Sequence, residues 1–72
     1  MGVSYCIAAF ADGEASFYGG DVVNRGMTLP TFVDVDNMVT YSDIDDCYSQ
    51  LGRLKNIYPS MKIEISRYVE VD

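Results

Sequence analysis

Hydrophobic and polar positions change rhythm several times along this chain. From Val3 to Tyr18 the stretch "VSYCIAAFADGEASFY" is almost wholly apolar, broken at Asp12-Gly13-Glu14. Asp-Gly suits a two-residue type I′ turn, so the stretch predicts a β-hairpin with Ala11 facing Glu14. Pairs further out put Ile7 opposite Tyr18 and Ala9 opposite Ser16 on one face. Ala8 opposite Phe17 and Phe10 opposite Ala15 make the other. Neither face is polar, whereas a half-solvated antiparallel strand alternates, so both faces of this hairpin call for cover.

The next segment, "GGDVVNRGMTLP", reads as glycine-rich and turn-like, with a reversal at Asn24-Arg25-Gly26. Pro30 is expected to open the following strand, because an interior proline loses a ladder hydrogen bond. "TFVDVDNMV" then alternates, with Val33 and Val35 on one face and Asp34 and Asp36 on the solvent side.

Beyond it the period lengthens. Ile44, Cys47, Tyr48, Leu51 and Leu54 recur at helical spacing and form one apolar stripe. Ser42 is the expected N-cap, with Asp45 at the third helical position. Arg53 and Lys55 in the last turn complement the helix dipole. Asn56 and then Pro59 end the helix. "MKIEISRYVEV" returns to alternation, with Met61, Ile63 and Ile65 inward and Lys62, Glu64 and Ser66 outward.

The reading is a single small α+β domain over residues 1–72, in the order β-β-β-α-β. An antiparallel hairpin and a β-α-β unit would build a roughly four-stranded sheet with one helix packed on it. If the strands flanking the helix are parallel neighbours, their crossover is right-handed. One helix covers one face. The other requires a second copy, a partner or the long loop, so self-association to a homodimer stays open.

Composition sharpens this picture in two respects. The 72 residues lie near the lower limit for folding by burial alone. The net charge is −6, which argues against direct nucleic-acid binding and for a basic partner. Histidine is absent, removing the commonest general base and the commonest metal ligand. Cys6 and Cys47 do not make a disulfide framework, and a reducing cytosol with both thiols free is the expected setting. No membrane span and no basic leader are visible, and Tyr5 and Cys6 miss the myristoylation pattern.

Candidate chemistry centres on "DVDNMVTYSDIDD", which holds five aspartates in thirteen positions. A calcium loop starting at Asp34 would place Asp36 at its third position and Asp45 at its twelfth. Met38 and Val39 then stand where a ligand and the turn glycine belong, so no metal is expected. Two carboxylates can divide acid and base roles, but no nucleophile motif or phosphate loop accompanies them, so neither an enzyme nor a cofactor is expected. Each aspartate also has a plain structural explanation, either the wet side of a strand or the first turn of a helix.

One feature exceeds that explanation. From Met27 to Gly52 there is no lysine or arginine at all. Asp34, Asp36, Asp43, Asp45 and Asp46 are therefore expected to form one negative surface. Tyr41 is its exposed aromatic anchor, whereas Tyr48 belongs to the helix's core stripe.

At "TYSDIDDCYSQLGRLKNIYPSMKIEISRYVEV" the chain resembles small acidic bacteriophage accessory proteins, anti-CRISPR and other anti-defence proteins among them. The resemblance lies in architecture and composition: a hairpin, an aromatic-Ser-acid helix start, one amphipathic helix and a closing strand. It implies a non-enzymatic inhibitor or modulator of a host protein, through an acidic surface mimicking nucleic-acid charge. The implied partner is a basic surface, such as the groove of a nucleic-acid-binding complex.

Overall fold

The computed structural model describes residues 2–70 of the chain. Four strands, β1 (Gly2–Ala11), β2 (Glu14–Asn24), β3 (Met27–Val33) and β4 (Lys62–Glu70), form one antiparallel sheet. A single helix, α1 (Ile44–Ile57), lies between β3 and β4 in sequence. The strands stand in the order β3-β2-β1-β4. β4 therefore joins the opposite edge from β3 and pairs antiparallel with β1, from Phe10–Lys62 to Gly2–Glu70. The strands flanking the helix are not neighbours, and the condition for a right-handed β-α-β crossover does not arise.

Local turn chemistry accounts for both hairpins. Asp12 and Gly13 both have positive φ, 52° and 79°, as a type I′ turn requires. The resulting register is the expected one, Ala11–Glu14 through Ala8–Phe17. Arg25 and Gly26 repeat the device at φ 53° and 77°, closing β2 onto β3 with Asn24 opposite Met27. The segment expected to be turn-like is thus mostly ladder. What disguised it is a bulge between Tyr18 and Asp21, where Gly20 takes φ 101° and its carbonyl accepts the Thr31 hydroxyl at 2.7 Å. Pro30 sits inside β3, buried, opposite Asp21. An edge strand tolerates it because the missing N–H faces away from the ladder.

The β1–β2 ladder stops at Ala8–Phe17, one step short of pairing Ile7 with Tyr18. There the two strands fork, and the chain after β3 fills the gap. The Val39 N–H donates to the Tyr18 carbonyl at 2.9 Å. Tyr5 and Tyr41 exchange two backbone hydrogen bonds at 2.8 Å each. The strand expected from Thr31 to about Asn37 accordingly ends at Val33, and Val35–Asn37 form a 3₁₀ turn instead.

The core lies between the sheet and α1. Ile7, Ala9, Tyr18, Cys47, Leu54 and Ile63 are buried together, with Tyr5, Phe32, Val39, Tyr41, Leu51 and Ile65 packed around them. The face carrying Ile7 and Ala9 is therefore the covered one. On the other side of the sheet, alternation places Cys6, Ala8, Phe10, Phe17, Val33 and Tyr68. No element among the described residues lies over them. Cys6 and Ala8 are nonetheless buried. Ala8 is small and has Phe17 and Glu64 as its flanking cross-strand neighbours. The need for cover is thus met at the centre by small residues, and it persists at Phe10 and Tyr68, 39% and 38% exposed.

Candidate partner-binding surface

All five aspartates of the acidic stretch are exposed. Asp43, not Ser42, caps the helix: its Oδ1 accepts the Asp45 N–H at 2.9 Å, and its carbonyl accepts the Cys47 N–H. This moves every helical position on by one, so Asp46 rather than Asp45 stands third. Both carboxylates remain in the first turn, where the helix dipole favours them. Asp34 is not the wet side of a strand. Its carbonyl accepts the Asn37 N–H and its Oδ1 accepts the Asn37 amide at 2.7 Å, closing the 3₁₀ turn that also contains Asp36.

Residues 38–42, which join the two groups of aspartates, run along β2 and β1 through the contacts of Val39 and Tyr41. Among the described residues no three His, Cys, Asp or Glu side chains converge to hold a metal ion. The ion pairs there, Arg53–Asp21 at 3.1 Å and Lys62–Glu64 at 3.6 Å, involve none of the five aspartates.

The two tyrosines exchange the places expected of them. Tyr41 is half-buried against the core, and burial pushes its hydroxyl up to about 12. It cannot be the exposed anchor, because its backbone is stitched to Tyr5 and turns its ring inward. Tyr48 is 57% exposed. At about 100° per residue, the buried direction of α1 runs through Cys47, Leu51 and Leu54, and Tyr48 falls at its margin. On the helix surface Tyr48 lies one turn beyond Ile44 and Asp45, so an exposed aromatic, an exposed aliphatic and a carboxylate are neighbours. Weighing each stripe residue by its angle to Cys47 and Leu54 would have found this from sequence.

A second polar cluster holds the middle of the helix to the sheet. The Tyr18 hydroxyl donates to Asp21 Oδ1 at 2.8 Å, and Arg53 Nη1 donates to the same oxygen at 3.1 Å. The Tyr18 bond, and then Arg53, hold the Asp21 carboxyl below its usual range, while burial and Asp21 raise the Tyr18 hydroxyl. The bulge brings Asp21 round to this face, so nothing local in the sequence announced the cluster.

Near the C-terminal end of α1 an open groove of about 600 Å³ is lined by Phe10, Ile57, Tyr58, Pro59, Met61 and Lys62, among others. Lys62 Nζ stands 5.5 Å from the centre of the Phe10 ring there. The groove is at the other end of the helix from Asp43, about 21 Å away at 1.5 Å per residue. No helix among the described residues is long and apolar enough to cross a membrane. Against known proteins, the chain matches no family model, no curated protein and no solved structure.

Proposed function

We propose that the protein is a non-enzymatic binding protein of phage type, which inhibits or modulates a host protein by docking on a basic surface. The observation that carries this reading is the exposed face of the first half of α1. There Ile44 and Tyr48 stand beside Asp45, with Asp46 exposed in the same turn and no basic residue nearby in the sequence to neutralise either carboxylate. Such carboxylates speed encounter and select a basic partner, while an aromatic side chain supplies the desolvated anchor. Asp34 and Asp36 form a second negative site that a groove shaped for nucleic acid would also meet. The test is capture from nuclease-treated host lysate by the native protein, Asp36→Lys and Tyr48→Ala. A partner that elutes with rising salt and is lost by both variants supports the proposal. Equal capture by all three forms removes it.

Self-association is the second reading, favoured by the uncovered sheet face. Phe17 belongs to that face, whereas Tyr18 belongs to the core, so Phe17→Asp is the informative change. It should abolish any oligomer seen by light scattering at tens of micromolar and leave the far-ultraviolet spectrum unchanged. A native protein that stays monomeric there sinks this reading.

A further inference from the structure

The two edges of the sheet differ. β3 is seven residues long, has Pro30 near its middle and faces the bulge in β2. β4 is nine residues long, pairs without interruption along β1 and contains no proline. No element among the described residues lies beyond it. Natural sheets usually blunt such an edge, because its free N–H and C=O groups are a template for another strand. β4 has no proline or bulge to do so, and its exposed charges, Lys62, Glu64 and Arg67, are of mixed sign and so do not by themselves repel a second copy.

We propose that β4 pairs antiparallel with β4 of a second copy across a two-fold axis at Ser66. This rests on the self-association reading and not on the acidic helix face. An axis perpendicular to the sheet keeps each side chain on its own face, which restricts the choice of registers. With Ser66 on the axis, Lys62 stands opposite position Glu70 of the copy, and Ile63 opposite Val69. Glu64 then meets Tyr68, and Ile65 meets Arg67. Among Ile63 to Val69 no like charges face each other. Centring on Glu64 or Arg67 sets like charges against each other, and centring on Ile65 leaves the last two residues of the nine-residue strand unpaired. Cross-strand pairs of these kinds fix register. The product is a continuous eight-stranded sheet with both helices on one side. The uncovered apolar faces, with Tyr68 of each copy near the seam, join on the other.

The first measurement is sedimentation of the native protein at tens of micromolar, beside a cross-link at the axis. Ser66→Cys is made with Cys6→Ala, because Cys6 is the neighbour of Ser66 on β1. Paired cysteines at a two-fold position lie within disulfide range. Mild oxidation should convert most of this variant to covalent dimer, while Ser49→Cys, on the exposed side of α1, stays monomeric. A native dimer without cross-linking at Ser66 overturns the β4 interface but keeps self-association. A native monomer overturns both and leaves the acidic-face proposal standing.

Discussion

At the scale of single residues, the positions that matter most are those where a short side chain does a backbone's work. Asp43 is one. Its carboxylate satisfies an N–H at the start of α1 that would otherwise have no helical partner. Asp43→Ala should therefore cost about 1 kcal/mol, while Ser42→Ala, one residue outside the cap, should cost almost nothing. Urea unfolding curves of the two variants decide it, and equal midpoints would mean that Asp43 is not the cap. Both residues are favourable N-caps, so sequence alone could not choose between them. The choice is made by the tie between Tyr41 and Tyr5, which fixes where the helix can begin. The same tie reverses the roles of Tyr41 and Tyr48, and it is a contact between residues distant in the chain.

At the scale of elements, helix α1 carries the contact that holds the molecule together. Leu54 and Cys47 are fully buried, while Leu51 is only half-buried. Leu54→Ala should cost about 2–5 kcal/mol and Leu51→Ala less, reversing the weight that an unweighted apolar stripe gives them. In a domain this small a loss of that size leaves little folded protein, so Gly52→Ala provides the companion test. Gly52 is exposed, and an added Cβ would meet nothing within 4 Å. Its replacement should stabilise by about 1 kcal/mol, raising the melting temperature by roughly 4–8 °C. A drop on thermal melting would show that Gly52 serves a packing role. The helix, the last strand and the first hairpin were legible in the sequence, because a 3.6 period, a 2 period and an Asp-Gly turn are local signals. β2 and β3 were half hidden. Gly19, Gly20 and Pro30 look like punctuation until the bulge and the edge position give each a place in the ladder.

At the scale of the whole molecule, charge and burial together set a pH window. The Asp21 carboxyl is lowered chiefly by the Tyr18 hydrogen bond, then by Arg53. A lowered acid contributes stability above its ordinary value of about 3.9 and loses it as pH falls through the folded value. Cys47 is pushed up to about 11 and Tyr41 to about 12, both mainly by burial. Raised groups contribute fully below their ordinary values, about 8.5 and 10, and that contribution is lost as pH rises through the folded ones. Melting temperature should therefore be flat near neutrality and fall on both sides. Asp21→Asn should lower the plateau and flatten the acid limb. Tyr41→Phe, which keeps the ring, should move the alkaline limb upward. An alkaline limb that Tyr41→Phe does not move would mean that the ring is not held inside the fold.

The fork between β1 and β2 bears on how such a chain finds its shape. Only the four pairs next to the first turn can zip together from a local start. The far half of β1 gains its partners from Tyr41 on one side and from β4 on the other, both reached late in the chain. Loops of that length must close before the ladder there is rewarded. The sheet thus cannot be completed strand by strand as the chain lengthens. Its N-terminal strand stays half unpaired until the helix and the last strand arrive, which makes this small protein fold as one piece or not at all.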